Sequence, residues 1–505
     1  MAKFAVPISF LILFFLAANF TDCDLVTFWK RRSHLTDLVV DMIPPDFSYI
    51  QKILLPLFYT IQMSVTGTVL GIFFALVLSP FGAANLGFPA VIRRILRIVI
   101  QILRSFPALI LALTATFLFG LGTFAGTFAI TLYTFAIMTK LTYEDASAAD
   151  VKAYQALRAM GVSKYVAYIH GILPEIIPGF LTNALYLLET NVRHSSILGY
   201  VGAGGIGLLL NEKISWLEYD KVGTILLMLF LTVCVIEYFS RYLAALIRKE
   251  HTIKKEQARL LLLFLAALFL ICTFTLSLPD FSKTSPQTLR NMFAGFLQPD
   301  WSFFFSAEKD GLGYLLLETV CIAFIGTVIG AIVSAPLAFL NTKRFVPAPV
   351  SFLFNLVIMI IRSVPFLVYG LIFIRVSGPG AFTGVLTLAV CSIGLLTKRF
   401  TEALDALDPR PYHALLAMGV RPLPAICHSV LPQLKPVFTS IILYRFDVNI
   451  REASVLGLVG AGGIGAPLIF SMNQYAWEKA GAIMLGLILF VWFIDMVSEK
   501  IGAGN

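Results

Sequence analysis

The sequence predicts an all-α polytopic membrane protein built as two parallel repeats of about six transmembrane helices each. Three observations lead there. Hydrophobic residues make up 58% of the 505 residues and charged residues only 13%, whereas soluble domains run near a quarter charged. Apolar stretches long enough to cross a hydrocarbon core recur along both halves. The chain also repeats itself: Val201 to Gly207 reads VGAGGIG, and Val459 to Gly465 reads VGAGGIG again, 258 residues later. Backbone that meets lipid must be helical, because unpaired amides are too costly there. The other spanning design, a β-barrel, needs short alternating segments, and a run such as Leu260 to Leu278 does not alternate.

The echo extends well beyond the glycine string. Glu189-Thr-Asn191-Val-Arg193 returns as Asp447-Val-Asn449-Ile-Arg451, and Ala159-Met-Gly161-Val as Ala417-Met-Gly419-Val. Leu173-Pro174 returns as Leu431-Pro432, and Arg104-Ser105-x-Pro107 as Arg362-Ser363-x-Pro365, all at the same offset. Thr66-Gly67-Thr68-Val69 has a looser counterpart in Ile325-Gly326-Thr327-Val328. A period this long is a duplicated domain rather than a solenoid repeat. It divides the chain into a first repeat, 1–250, and a second, 251–505.

Taken in order, spans are expected near 4–20, 53–79, 95–119, 123–141, 176–198 and 223–247 in the first repeat. In the second they fall near 259–278, 314–340, 349–375, 381–398, 434–456 and 479–498. The opening segment follows Lys3 and is as short as a signal peptide. It reads better as a retained span, since 259–278 matches it and no A-x-A site follows Phe20.

The formal net charge of +9 bears on topology, not on nucleic acid. Arg93, Arg94 and Arg97 sit between the second and third spans, and Lys140, Lys152, Arg158 and Lys164 follow the fourth. Arg241, Arg248, Lys249, Lys254 and Lys255 join the halves, and Lys343, Arg344, Lys398, Arg399, Arg410 and Arg421 repeat the arrangement. Placing both termini and these loops in the cytoplasm satisfies nearly all of them. Lys30, Arg31 and Arg32 are the exception, and five aspartates surround them. An even span count then makes the repeats parallel. The six cysteines are scattered and form no CxxC or Cys/His pattern, so neither a disulfide framework nor a metal site is expected.

After the fourth span of each repeat comes a hydrophilic stretch, 144–174 and 402–432. Each reads as a helix, a glycine turn and a second helix. Gly161 suits a helix stop, Ser163 a cap, and Leu173-Pro174 the start of the next span. Pro411 suits the first turn of the matching helix in the second copy. A plain loop has little reason to hold this spacing twice. Gln155-Ala156-Leu157-x3-Gly161-x11-Leu173-Pro174 resembles the EAA signature of bacterial ABC importer permeases, as does His413-Ala414-Leu415-x3-Gly419-x11-Leu431-Pro432. Both copies depart at the first position, where the family has Glu. The resemblance implies a coupling helix that docks in a groove of an ATPase subunit, with Ala156, Gly161, Pro174, Ala414, Gly419 and Pro432 in that role.

Gly202-x-Gly204-x-x-Gly207 formally matches a dinucleotide fingerprint, as does Gly460-x-Gly462-x-x-Gly465. That site needs a strand before the glycines, and here they close a membrane span. No GxxxxGK[ST] occurs, so the chain has no phosphate loop for hydrolysing ATP. Two uses remain for the glycines: close helix packing, or lining a pathway where a span breaks. The wider string, Asn449-x-Arg451-Glu-Ala-Ser454-x-Leu-Gly457 through Gly465, resembles the phosphonate/phosphate (PhnE-type) permease family, and the copy Asn191-x-Arg193-His-Ser-Ser196-x-Leu-Gly199 fits nearly as well. The likeness covers both halves, so the chain resembles a tandem fusion of two type I ABC importer permease domains. That family usually supplies one such domain per chain.

The polar residues in these spans carry the candidate substrate pathway: Glu189, Asn191, Arg193 and Ser196, with Asp447, Asn449, Arg451 and Ser454. Glu189 and Arg193 share a helical face and Asn191 does not. Two readings stand. Glu189–Arg193 and Asp447–Arg451 satisfy each other within one helix, or Arg193 and Arg451 face one another across a pseudo-twofold axis and attract an oxyanion. His194 stands where the second repeat has Glu452, so any path has unequal walls. Arg104 and Arg362 are weaker candidates.

The resemblance implies a membrane subunit, not an enzyme, with no catalytic residues, no metal and no cofactor of its own. ATP and Mg²⁺ would lie on two partner ABC ATPase subunits, and an extracytoplasmic binding protein would deliver the cargo. The expected setting is the bacterial cytoplasmic membrane, with no nucleic acid involved. Phosphonate, phosphate or phosphite is the expected cargo, with methionine, a quaternary amine or another oxyanion as alternatives. A self-sufficient secondary transporter or channel is the alternative from another class, and the paired polar loops speak against it.

Overall fold

The computed structural model describes residues 2–247, 255–279, 286–306, 308 and 311–503. Among them every regular element is helical. The first stretch contains α1 (Ala2–Phe20), α2 (Ile50–Leu78), α3 (Ala90–Ser105), α4 (Ala108–Phe119) and α5 (Thr123–Ala148). It continues with α6 (Lys152–Ala159), α7 (Lys164–Gly171), α8 (Leu173–Leu198), α9 (Ile206–Ser215) and α10 (Tyr219–Ile247). The second contains α11 (Lys255–Phe274), α12 (Leu312–Asn341), α13 (Ala348–Ser363), α14 (Phe366–Ser377) and α15 (Ala381–Ala406). It closes with α16 (Arg410–Ala417), α17 (Leu431–Leu456), α18 (Gly465–Asn473) and α19 (Trp477–Ala503). Arg248, Lys249 and Lys254 of the basic linker, and the expected repeat boundary at residue 250, lie outside the described residues.

Among the described residues seven helices are long and apolar enough to cross a membrane, or up to ten if each bent pair is one span, so this is a multi-pass membrane protein. The opening helices run over Ala2–Phe20 and Lys255–Phe274. The third expected span of each repeat is not one rod. α3 and α4 meet at 95°, and α13 and α14 at 87°. The cause is local. Proline crowds the residue before it out of the helical region, and Phe106 and Val364 are extended ahead of Pro107 and Pro365. The arginines expected in the loop before that span therefore lie inside α3.

The chain forms two compact units, residues 40–290 and residues 1–39 with 291–505. They are not the sequence halves. α1 packs on α12, with the Phe20 and Tyr314 rings 4.9 Å apart. α11 packs on α2, where Gln62 Nε2 donates to Cys272 O at 3.1 Å and to Thr275 Oγ1 at 2.8 Å. Each unit thus holds the opening helix of the other repeat. The two repeats offer nearly the same groove, so exchanging an equivalent element costs little.

Inside each unit two long helices pack backbone to backbone. A Cβ on Gly67 would lie 2.8 Å from Ile130 Cβ, and one on Gly71 2.7 Å from Thr134 Cβ. Gly326 and Gly330 stand against Leu388 and Ser392 in the same way. These are small-xxx-small seams, the packing that lipid favours because hydrophobicity cannot drive helices together there.

Candidate functional site

Polar side chains converge on α8 in one unit and on α17 in the other. Spacing of four residues places Glu189 and Arg193 on one face, and Arg193 Nη1 donates to Glu189 Oε1 at 3.0 Å. In α17, Arg451 Nη2 and Nη1 donate to the two Asp447 oxygens at 2.5 and 3.2 Å. The pairing within one helix is therefore formed in both repeats. All four side chains are largely buried, but Arg193 and Arg451 keep 13% and 16% of their side-chain surface exposed.

Asn191 points elsewhere, as its spacing predicts. It is wholly buried, and its Nδ2 donates to Thr68 Oγ1 and Thr134 Oγ1, both at 2.8 Å, tying α8 to α2 and α5. Asn449 does the same in its unit, bonding Thr327 Oγ1 at 2.7 Å and Ser392 Oγ at 2.9 Å. Ser196 and Ser454 donate back to the Arg193 and Arg451 carbonyls at 2.6 and 2.7 Å. The asparagines thus tie helices together, the serines bond within their own helix, and the charged pairs form a separate face.

One pair escapes the sequence reading. Arg445 is buried on α17, where its Nη2 donates to Glu452 Oε2 at 2.8 Å and its Nε to Ser392 Oγ at 3.1 Å. Arg445 precedes Glu452 by two helical turns, and the first repeat has Leu187 and His194 at those positions, so neither close helical spacing nor the repeat signals the pair. His194 instead packs edge-on against Tyr133, with ring centroids 5.1 Å apart.

The glycine strings close α8 and α17 and turn the chain into α9 and α18. Gly202, Gly204 and Gly205 all hold positive φ, near +80°. A Cβ on Gly207 would meet Ser196 O at 2.2 Å, and one on Gly465 would meet Ser454 O at 2.4 Å, so the turn presses on the helix it leaves. Gly122 N bonds Gly202 O at 3.0 Å and Gly380 N bonds Gly460 O at 2.9 Å, pinning each string to the start of α5 or α15. This is the packing use of glycine, and a helix, not a strand, precedes it.

The polar stretches form helical hairpins, the first as expected; in the second, the arm after Gly419 runs from Pro422 through Leu431-Pro432 into α17 without the 70° bend that separates α7 from α8. α6 ends at Gly161, whose φ of +83° is left-handed, and Ser163 caps α7 by accepting from Val166 N. α16 ends at Gly419 with φ +82°. Tyr154 anchors the first hairpin by donating from its hydroxyl to Leu86 O at 2.6 Å. Tyr412, at the same position of the second, packs edge-on against Phe345 at 5.5 Å. Ala156, Gly161, Pro174, Ala414, Gly419 and Pro432 are all exposed. So are Met160 and Met418, at 78% and 77%, which leaves an apolar tip beside each glycine.

A family model described as binding-protein-dependent transport system inner membrane component matches residues 67–249 and again 326–501. Both matches begin after the opening helices that the units exchange. The chain is 27% identical over 473 residues to the phosphate-import permease protein PhnE of Mycolicibacterium smegmatis, covering 92% of this chain and 88% of that protein. It is 36% identical over 184 residues to the phosphite transport system permease protein PtxC of Stutzerimonas stutzeri, covering 36% of this chain and 67% of that one. It is 23% identical over 459 residues to the ABC transport system permease protein p69 of Mycoplasma pneumoniae, covering 87% of this chain and 84% of that one.

Proposed function

The chain belongs to the family of binding-protein-dependent transport system inner membrane components, and from that premise we propose that it imports a phosphorus oxyanion, namely phosphonate, phosphate or phosphite. The observation that carries the cargo is the likeness, over 92% of the chain, to a permease named for phosphate import, joined by the likeness to one named for phosphite. As a permease of an ABC importer it works with separate ATPase subunits and a binding protein.

Two ATPase subunits, holding ATP and Mg²⁺, engage the apolar tips at Met160–Gly161 and Met418–Gly419. An extracytoplasmic protein delivers the cargo. Both termini and both hairpins face the cytoplasm of a bacterial inner membrane, an orientation supported by the arginines and lysines gathered in α3 and the hairpins. Arg193 and Arg451 attract the oxyanion. Each guanidinium is already held by a carboxylate, so an arriving anion competes for it and is gripped weakly enough to leave. Glu189 and Asp447 thereby set the strength of the grip, Asn191 and Asn449 tie the helices that carry it to their neighbours, and Ser196 and Ser454 bond back to the arginine carbonyls.

The test is uptake into proteoliposomes holding the full complex with its ATPase and binding protein. Labelled phosphite, phosphate and methylphosphonate are compared with methionine and a quaternary amine. ATP-dependent uptake confined to the phosphorus anions supports the cargo, and uptake of methionine or the amine in their place removes it.

A further inference from the structure

α3 is an unusual helix for a membrane protein. It carries Arg93, Arg94, Arg97 and Arg104 and no acidic residue. Val91, Ile95, Ile98 and Ile102 fall on one stripe and are 68%, 57%, 50% and 39% exposed. The opposite face is fixed to the protein. Arg97 Nε and Nη2 donate to Gly82 O at 3.0 and 2.9 Å, with the guanidinium over the Tyr143 ring, and Arg93 Nη1 reaches Ala84 O at 3.4 Å. Arg94 flanks the apolar stripe and is exposed. Lys164 lies close by, donating to Gly87 O and standing over the Phe88 ring.

The place of α3 in the fold follows from these contacts. Gly82 lies just past the end of α2, and Tyr143 lies in the last turns of α5, from which the first hairpin projects. The 95° bend turns α3 away from α4. α4, with 12 residues, rises roughly 18 Å and covers only part of a core about 30 Å thick. α3 is thus held against the end of α2 and the last turns of α5, beside the first hairpin, with its apolar stripe exposed and Arg94 along its edge. An amphipathic basic helix in this setting binds anionic bilayers.

The second repeat supplies the control. α13 makes the same turn, with exposed Phe352 and Leu353, but Ser351, Phe352 and Asn355 stand where α3 has Arg93, Arg94 and Arg97. The basic residues Lys343 and Arg344 precede α13, and Arg344 is turned to the Leu407 and Asp405 carbonyls. The bent helix does not need the cations in order to form.

We propose that α3 is a docking site for the phosphodiester headgroups of anionic phospholipid in the leaflet from which the hairpins project, a site present in the first repeat only. The inference rests on the orientation proposed above but on neither the cargo nor the ATPase. Its test uses the purified full chain alone in a neutral detergent. Phosphatidylglycerol or phosphatidylcholine is titrated in, with the thermal unfolding midpoint and the lipids retained in native mass spectrometry as readouts. Phosphatidylglycerol should raise the midpoint and be retained where phosphatidylcholine is not. Arg94→Phe copies a residue the second repeat accommodates and should lower the apparent phosphatidylglycerol affinity about fivefold, the effect expected for one arginine at an anionic surface, with Arg94→Lys keeping most of it. Equal effects of the two lipids, or an unchanged affinity in Arg94→Phe with Arg94→Gln giving the same result, would overturn the proposal. Equal protection by inorganic phosphate at the same concentration would overturn it too, and would mark a free-anion site. Failure of any of these leaves cargo uptake, measured separately, untouched.

Discussion

An arginine held by a carboxylate one helical turn away is a compromise between solubility in the fold and availability to a ligand. Removing one partner leaves a buried charge alone, which costs about 3–5 kcal/mol, whereas removing both is close to neutral. Arg451→Leu should therefore lower the unfolding midpoint of the purified chain markedly, and Arg451→Leu with Asp447→Leu should restore most of it. If the pair serves the cargo, the double variant regains stability without regaining uptake. Asn191→Ala tests a different role. Its two bonds to Thr68 and Thr134 join three helices, and such interhelical bonds average about 0.6 kcal/mol each. The expected result is a loss of about 1 kcal/mol in stability with KM for uptake unchanged. A raised KM at full stability would instead put Asn191 on the path. The i, i+4 pairs are legible in the sequence, since they need only helical periodicity. The Arg445–Glu452 pair is not, because two turns separate its members and the first repeat, with Leu187 and His194, gives no echo of it.

At the scale of elements, the hairpins are legible nearly residue by residue. Gly161 and Gly419 stop helices by conformations that only glycine adopts freely, and a serine or proline starts the next turn; each signal is local. What holds the hairpin to the bundle is not local. Tyr154 reaches the Leu86 carbonyl 68 positions away. Tyr154→Phe should leave that buried carbonyl unpaired at a cost of about 1–3 kcal/mol, seen as faster amide hydrogen exchange in α6 and α7 with the long helices unchanged. Protection equal to the parent chain would mean the hydroxyl does not anchor the hairpin. The broken third span is hidden for an instructive reason. Pro107 and Pro365 are visible in the sequence, but the apolar run continues across them, and composition masks the backbone rule for the residue before proline.

At the scale of the molecule, the duplication is plain in the sequence but its consequence is not. Two repeats similar enough to be recognised are similar enough to accept each other's opening helix, and no periodicity distinguishes one groove from the other. The exchange predicts that Phe20→Cys combined with Tyr314→Cys, in a chain with its native cysteines replaced by serine, will form a disulfide under mild oxidation. Tyr59 lies near the equivalent position of the first repeat. A disulfide in the Phe20→Cys, Tyr59→Cys variant, with none in the first pair, would assign α1 to its own repeat.

The central claim is that this chain is driven by ATPase subunits through two equivalent hairpins. ATP-dependent uptake by the reconstituted complex, with Gly161→Val, Gly419→Val and both together, tests it most directly. A valine at φ near +80° carries about 1–3 kcal/mol of strain, enough to reshape the exposed tip without unfolding the buried spans. Each single variant should lose most of the uptake, and the double variant all of it, with the chain still monodisperse and its ATPase partners still able to bind ATP. Uptake that survives in the double variant would contradict the account.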